Sequence, residues 1–466
     1  MSINENAIGA RIDSGASQYA EKYAPFMEAL QSQSLLSKVR SITSNDVYAL
    51  GKQLENFEIY KELCEEDGSI GQLGKIPDVA FDVLTVAYGT SPLSAIASIQ
   101  PIDEEQGTIY YKNVVAASTK GGVNAGDVLS GPMGGDNYAA DGYASSAVVG
   151  EAHGDTVDGT TEYSFVLVNT PLRAGSVRIE LAQLGLVATD NGAGQLIGFD
   201  IQGTVDYNTG AVTITLKNNP ADGHTITASY QSDYESAEDI PKILMKFTSK
   251  TVNARLWALK DTIGMQQSYA LRRRFGMVAE DEVAQDLVAA INSEQMNAAT
   301  RMLLAKAQGE TTFQKAAPSG ISYAEHKQGF KDALAQAEAV ILGNAGRGTI
   351  SALVAGRNVC ALIGTLQGFN KLSDGAAIGP HIFGTLDGIL VIRVPNQHVM
   401  HPDEAVALYK GKSNFESALV SAPYMPLVVT SALPHGSNPL MNQKAAAVWG
   451  AIDVLVPNFI TKIKLV

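Results

Sequence analysis

The stretch over residues 253–306 constrains the fold of this chain more than any other. In its second half, apolar residues recur at three- to four-residue steps, which places them on one face of a helix. They are Val283, Leu287, Ile291, Ala298 and Met302. Acidic residues 280–282 open this helix and Lys306 lies at its far end, which is the order that a helix dipole favours. The pattern predicts about seven turns, roughly 35–40 Å, and hence a spine against which a sheet and a second domain pack.

The first half of the same stretch is predicted as another helix, which ends near Gly276. It carries the one concentrated basic cluster of the chain, Arg272, Arg273 and Arg274. Arginine is favoured at the C-terminus of a helix, where it interacts with the helix dipole. The cluster can also form salt bridges with a neighbouring subunit, and the two roles are compatible.

Composition and charge narrow the class of protein. The 466 residues are enough for two to four domains, and 45% of them are hydrophobic, so a sizeable core can form. Charged residues make up 18%, below the roughly 25% of a typical soluble domain, which indicates buried interfaces or many turns. A net charge of −14 argues against a general nucleic-acid binder, which needs a positive field. An acidic wall can still enclose DNA without adhering to it.

Cysteine usage and hydropathy predict a soluble cytosolic protein. Cys64 and Cys360 are far apart and form no metal-ligand pattern, which fits a reducing compartment without disulfide bonds. The N-terminal residues are polar and do not resemble a signal peptide. The apolar stretch 418–433 contains Pro423 and Pro426, so it is not expected to cross a membrane.

Helices and strands occur without a regular βαβ order, so the predicted fold class is α+β. Further helices are predicted over 17–66 (as two helices), 323–342 and 358–366. Strands are predicted over 107–116, 241–247, 350–355, 388–395, 406–409, 417–420, 427–429, 445–456 and 460–466, and a linker over 309–320. The two N-terminal helices form either an arm that reaches a neighbour or a small helical subdomain packed on its own chain.

Residues 151–234 are predicted to form a compact all-β unit, after a long glycine-rich loop over 118–150. Its strands are predicted over 163–169, 176–181, 198–207, 211–216 and 225–230. Residues 208–210 form an Asn-Thr-Gly hairpin turn, so the strands on either side should pair in antiparallel. Turn aspartates are scattered through the unit without the spacing of a calcium loop, which makes them ordinary turn residues.

The motifs that carry chemistry are largely absent. Residues 343–349, GNAGRGT, have glycines spaced as in a phosphate loop but lack its lysine, so we interpret them as a surface turn. His398 and His401 are three residues apart, but Pro395 and Pro402 favour a loop over a metal-binding helix. No GxSxG, HExxH or catalytic-cysteine pattern is present. We therefore predict no catalytic residue, no metal site and no cofactor, and not an enzyme.

Several short segments occur in a recognisable order along the chain. They are Ile99-Gln100-Pro101 with Gly107-Thr108-Ile109-Tyr110, the joint Phe275-Gly276-Met277 before an acidic helix start, Gly346-Arg347-Gly348, Ala355-Gly356-Arg357-Asn358-Val359, Tyr409-Lys410-Gly411 and Ala422-Pro423-Tyr424. Their order and spacing resemble the major capsid protein of tailed bacteriophages, of the T-even-like myovirus type. The resemblance covers residues 76–150 loosely and 253–466 more firmly, and the unit over 151–234 is an insertion relative to it.

The resemblance implies the Hong Kong-type phage capsid fold, with a small all-β domain inserted. Its parts are an N-terminal helical arm (1–75), a peripheral domain with the spine helix (76–110, 244–317 and 440–466), an extended loop (111–243) carrying the β domain (151–235), and an axial domain (318–439). The β domain is expected to face outward and to reinforce the capsomer.

The resemblance also implies a function and partners. The chain would be a late, structural protein that assembles with itself into hexamers, with pentamers left open, and forms the icosahedral head around double-stranded DNA. Scaffold, portal, and decoration or vertex proteins are the implied partners, and no membrane is involved. The protein would be located in the virion, after assembly in the cytoplasm of the bacterial host.

The resemblance also implies candidate residues for contacts between subunits and for proteolytic cleavage. Contacts between subunits are expected at Arg272, Arg273, Arg274, Tyr409, Lys410 and Tyr424. Members of this family often lose an N-terminal segment after a Leu- or Ile-x-Glu site, and residues 63–65 and 3–5 fit that pattern. Glu65 is therefore a candidate cleavage position.

Two other classes of structural protein remain as alternatives. An encapsulin-like shell would have the same fold and hold enzymes. A tail protein or adhesin would explain the β unit but would not need the spine helix.

Overall fold

The computed structural model describes residues 5–24, 28, 43–66, 91–120, 123–130, 143–236, 240–372, 378–411, 413–430, 433–435 and 438–466. The chain forms two compact units. The first comprises Met1–Lys112 and Phe247–Val466, and the second comprises Asn113–Lys246. The predicted segments over 67–90 and 131–142, and residues 3–4 of one cleavage pattern, lie outside the described residues.

Helices and strands are mixed, which confirms the α+β prediction. The helices are α1 (Glu5–Lys22), α2 (Ser44–Glu66), α3 (Pro92–Ile96), α4 (Met265–Phe275), α5 (Ala279–Lys306), α6 (Tyr323–His326), α7 (Phe330–Ala345) and α8 (Arg357–Ile363). The first strands are β1 (Ser98–Ile99), β2 (Gln106–Ala116), β3 (Val128–Ser130), β4 (Ala147–Asp155), β5 (Glu162–Val166), β6 (Arg178–Leu181), β7 (Leu186–Asp190), β8 (Gln195–Gly198), β9 (Ile201–Val205), β10 (Ala211–Leu216) and β11 (Thr225–Gln231). The later strands are β12 (Ile243–Asn253), β13 (Arg255–Gly264), β14 (Glu310–Phe313), β15 (Ala352–Gly356), β16 (Phe369–Lys371), β17 (His381–Leu386), β18 (Ile389–Val394), β19 (Glu404–Leu408), β20 (Leu419–Val429), β21 (Leu433–His435), β22 (Asn438–Val454) and β23 (Ile460–Leu465).

A long sheet of the first unit has the strand order β1–β20–β22–β13, with β21 also paired to β22. Strand β13 pairs in antiparallel with β22 along its whole length, from Arg255↔Gly450 to Gly264↔Met441. The prediction of a helix from residue 253 to Gly276 is therefore wrong for β13, and only α4 is helical. Pairing with a strand far away in sequence decides this segment, because strand preference depends on cross-strand neighbours rather than on local periodicity.

The predicted spine helix is confirmed as α5, which has 28 residues. Leu287 and Ile291 are buried as predicted, but Val283 and Met302 are only half-buried. The buried face is broader and includes Ala284, Val288, Met296, Ala299 and Leu303. The N-terminal half of α5 packs in a cluster with β20 and β22, and its C-terminal half packs in the main core. One helix therefore joins two hydrophobic clusters.

The described parts of the two N-terminal helices pack on their own chain. Tyr23, Leu50 and Leu54 lie in the same cluster as the N-terminal half of α5. Asn56 on α2 donates from Nδ2 to the carbonyl oxygens of Ile102 (3.1 Å) and Tyr424 (2.9 Å). Of the two alternatives for these helices, this arrangement favours a helical subdomain packed on its own chain.

A second sheet of the first unit has seven strands in the order β14–β23–β19–β15–β18–β17–β16. Its central strand β15 is buried throughout, and α7 and α8 bury Phe330, Ile341 and Val359 in the same core. The predicted linker over 309–320 is wrong for β14, which pairs in parallel with β23. Strand β14 has only four residues, which are too few for a reliable strand signal in the sequence, and its partner lies far away along the chain. Strands β16 and β17 were not predicted either.

The expected boundaries between peripheral and axial domains do not coincide with the boundaries between the sheets. Strand β20, within the expected axial segment, lies in the long sheet beside β22. Strand β23, within the expected peripheral segment, pairs with β19 in the seven-stranded sheet. The C-terminal 30 residues therefore contribute to both sheets.

The second unit contains an antiparallel sheet of eight strands in the order β4–β11–β6–β7–β8–β9–β10–β5. The inserted all-β domain is thus confirmed, although β4, β7 and β8 were not predicted. The hairpin prediction is also confirmed, since β9 and β10 pair in antiparallel and Gly210 has φ 74°. Its core is a cluster of inward-facing apolar residues that includes Ile179, Leu181, Ile201 and Ile214.

Side chains bring the two outer strands of this sheet together. The His153 ring on β4 stacks on the Phe165 ring on β5, with centroids 4.4 Å apart. Glu151 on β4 accepts hydrogen bonds from the Val168 backbone (3.3 Å) and from the Tyr230 hydroxyl. Burial raises the pKa of Tyr230 to about 12, and Glu151 adds to the shift, so the hydroxyl stays protonated and donates. The sheet therefore closes on itself through side chains, which shields edges that would otherwise be open.

The hairpin turn at Gly210 should be sensitive to any side chain. A Cβ there would lie 2.6 Å from the Leu167 carbonyl oxygen, in addition to the cost of a left-handed backbone, which is about 1–2 kcal/mol. Gly223 has φ 85° but open space around it, so it is a matched control. We expect Gly210→Ala to lower the thermal unfolding temperature of this unit more than Gly223→Ala does. Equal effects in differential scanning calorimetry would contradict the close approach at Gly210.

Candidate assembly surface

Helix α4 leaves its apolar side chains uncovered. None of its residues is buried, and Met265 (62%), Tyr269 (62%) and Phe275 (69%) are largely exposed. A surface helix normally buries one apolar face against its own domain. An eleven-residue helix without such a face gains little stability from its own chain, so these side chains are available to a partner.

The predicted arginine cluster lies in the last turn of α4. All three side chains are exposed, and Gly276 caps the helix by donating to the Arg272 carbonyl oxygen (3.1 Å) with φ 70°. Arg273 donates to the Tyr269 hydroxyl (2.8 Å) and lies 6.0 Å from the centre of its ring. Within the described part of the chain, no carboxylate forms a salt bridge with Arg272, Arg273 or Arg274.

Strand β13, which leads into α4, is the outer strand of the long sheet. Only Ile263 among its ten residues is buried, and Leu256 and Leu259 are exposed. An outer strand presents backbone N–H and C=O groups that a further strand can pair with. The outer strand and α4 together form one continuous stretch, Arg255–Phe275, which we call the α4 surface.

Tyr409 and Lys410 lie at the end of β19 and contact their own subunit. The Tyr409 ring packs edge-on against Phe459 with centroids 4.8 Å apart, and burial raises the pKa of its hydroxyl. Lys410 donates from Nζ to the carbonyl oxygens of Ser94 and Ala95, both at 3.3 Å. The lysine therefore fixes the C-terminal end of α3 against the end of β19.

The remaining candidates lie on other elements. Tyr424 is half-buried in β20, where its carbonyl oxygen accepts the hydrogen bond from Asn56. Glu65 lies in the last turn of α2. The seven candidates are thus spread over α2, α4, β20 and the end of β19, and the structure does not bring them together into one site.

Other segments singled out by the sequence have simple structural roles. The predicted turn over 343–349 is wrong for residues 343–345, which form the end of α7. Gly346 ends the helix with φ 65°, and Arg347 pairs with Glu416 at 3.1 Å in the segment that follows. His401 lies in a loop, with Nδ1 4.0 Å from Asp403. Burial raises the pKa of the Cys360 thiol to about 12, which leaves it protonated. Across the described ranges, no group of three or more His, Cys, Asp or Glu residues is placed to hold a metal ion, and no helix is suited to crossing a membrane.

The exposed apolar residues of the α4 surface were not predicted from the sequence. The spacing of Met265, Tyr269 and Phe275 does not indicate whether their side chains are exposed or buried. Exposure depends on what packs against the segment, and that information lies elsewhere in the chain. The available signal was the arginine cluster, which marks one end of the surface.

Three solved structures with similar chain traces are two phage capsids and a virus-like particle. The capsid of the jumbo bacteriophage PhiKZ is 9% identical, with 82% of this chain and 92% of that chain covered and a TM-score of 0.40. The capsid of the Myoviridae phage XM1 is 8% identical, with 67% and 89% covered and a TM-score of 0.32. A virus-like particle from Pyrococcus furiosus is 11% identical, with 47% and 79% covered and a TM-score of 0.31. At TM-scores below 0.5 these likenesses carry no argument of their own.

Sequence comparison identifies a family. No curated protein matches the chain significantly. The family model for the major capsid protein Gp23 matches residues 90–445, well over half of the chain, and this range includes α4, α5 and every strand of the seven-stranded sheet except β23. The match confirms the predictions of a tailed-phage major capsid protein and of the Hong Kong-type α+β fold, and it favours a phage head over an encapsulin-like shell or a tail protein. The chain belongs to the Gp23 family of major capsid proteins, which are structural proteins of the virion.

Proposed function

We propose that copies of this chain assemble through the α4 surface into hexamers that build an icosahedral head around double-stranded DNA, with the pentamers formed either by this chain or by a vertex protein. The observation that carries the proposal is an eleven-residue helix without a buried residue, next to an outer strand of ten residues. Large apolar side chains that stay exposed along two consecutive elements are available to a partner. In a shell, every subunit meets several copies of itself, so such surfaces become covered.

The two sheets of the first unit suggest how the subunit is divided into a peripheral and an axial domain. We assign α5 and the long sheet to the peripheral domain, and the seven-stranded sheet with α7 and α8 to the axial domain. Residues 111–243 then form the extended loop with its β domain. This division follows the sheets rather than the sequence ranges, so β20 is peripheral and β23 is axial.

The charge of this chain favours a shell that encloses DNA over a protein that binds DNA. A net charge of −14 repels DNA, so the shell holds its contents without sequence-specific contacts. We assign the chain no enzymatic activity. Its other partners are scaffold, portal, and decoration or vertex proteins, and assembly takes place in the cytoplasm of a bacterial host.

Electron microscopy of the purified full chain, expressed alone and together with a scaffold protein, tests the proposal. Closed shells, tubes or flat hexagonal sheets are the expected products. Monomers under every condition of salt, pH and concentration would contradict self-assembly.

Substitutions on the α4 surface should separate assembly from folding. Met265→Ser replaces a side chain that is mostly exposed, so the unassembled subunit should keep its unfolding temperature while the yield of particles falls several-fold. Ile263→Ser is the matched control, because Ile263 is buried two residues earlier and its replacement should lower the unfolding temperature itself. Normal particle yield with Met265→Ser would show that this part of the surface stays uncovered in the shell. Yield and unfolding temperature are measured by sedimentation and by calorimetry.

A further inference from the structure

The junction between α4 and α5 carries a charge pattern that reverses about Met277. The three residues at distances of three, four and five positions before Met277 are basic, and the three at the same distances after it are acidic. The pairs are Arg274 and Glu280, Arg273 and Asp281, and Arg272 and Glu282. We call residues 272–282 the junction.

The centre of the junction is apolar and uncovered. Phe275, Met277 (42%) and Val278 (45%) are exposed, although they stand between two charged helix ends. Helix dipoles account for basic residues at the end of α4 and acidic residues at the start of α5. They do not account for three exposed apolar side chains between them, which marks the junction as a contact surface.

We propose that the junction is a two-fold interface between two copies of this chain, with the axis passing near Met277. A two-fold axis reverses the direction of the second copy, so the arginine end of each junction faces the acidic end of the other. The apolar centre then packs on itself, as an isologous contact requires. A parallel arrangement would instead place arginine against arginine and carboxylate against carboxylate.

Charged side chains remain exposed at both ends of the junction, although some of them also contact their own chain. At the acidic end, the buried Lys444 side chain donates to the Glu280 carbonyl oxygen (3.0 Å) and lies 4.0 Å from Asp281. Lys444 thus faces inward, while Asp281 remains 63% exposed and Glu282 is exposed. At the basic end, Arg273 donates to Tyr269, and Arg272 and Arg274 form no salt bridge with any residue that the structure describes. The exposed charges fix orientation, and the apolar centre supplies most of the contact.

The inference rests on the proposed self-assembly and adds one specific contact to it. Contacts around a hexamer or pentamer ring are heterologous, because each subunit uses one surface toward the next subunit and a different surface toward the previous one. A two-fold contact cannot close such a ring. The junction, residues 272–282, would therefore join subunits of adjacent rings, and residues 255–271 of the α4 surface would remain for contacts within a ring.

Cross-linking tests the position of the axis. In Met277→Cys particles, mild oxidation should convert most chains into a two-chain species of about 98 kDa, twice the 49.2 kDa subunit. Met265→Cys, on the same helix but away from the axis, and the unsubstituted chain should stay single. Particles of Met277→Cys that show no more two-chain product than these controls would overturn the inference and leave self-assembly intact. Failure of the unsubstituted chain to form any particle would instead count against the proposed function.

Charge reversal tests the pairing without relying on the cysteine variant. Arg272→Glu and Glu282→Lys each place like charges opposite one another in a two-fold contact, so each alone should reduce particle yield several-fold. In an equimolar mixture, opposite charges face each other at both ends, and yield should recover. Both substitutions are on exposed residues, and calorimetry of the unassembled subunits checks that they fold. A mixture that assembles no better than either folded variant would overturn the pairing.

Discussion

The packing of α5 against two hydrophobic clusters is the interaction on which the first unit depends. Leu287 and Ile291 lie in the cluster that also contains residues of the N-terminal helices and of strands β20 and β22 of the long sheet. Met296 and Leu303 lie in the core shared with the seven-stranded sheet. Each fully buried side chain of this size contributes roughly 1.5–3 kcal/mol, and the helix spreads that gain over both clusters.

The N-terminal end of α5 is where this rigid framework meets uncovered surface. Lys444 on β22 holds the first turn of α5 through the Glu280 carbonyl oxygen, and β13 is paired along its whole length with β22. Helix α4 and the junction are thus attached to the long sheet, although α4 buries none of its own residues. A protein that presents apolar side chains on a fixed support loses little conformational entropy when a partner covers them. This is a property that a shell built from many copies requires.

Local sequence signals predicted the elements that local interactions decide. The spine helix and the turn at Gly210 follow from periodicity and from backbone freedom, so both predictions were correct. Strand β13 was predicted as a helix because its partner β22 begins more than 170 residues later. The arginine cluster was located correctly at a helix end, but the exposed apolar side chains beside it were not foreseen. Their exposure depends on which surfaces the rest of the chain leaves uncovered, and periodicity does not encode that.

Hydrogen–deuterium exchange, compared between unassembled subunits and assembled particles, tests whether assembly covers the α4 surface and the junction. Helix α4, the junction and the outward-facing amides of β13, which do not bond to β22, should exchange fast in the free subunit and slow down strongly on assembly. The C-terminal half of α5, already buried in the core, should change little. Exchange over residues 255–282 that is equally fast in both states would show that assembly leaves this surface uncovered, and would contradict the account.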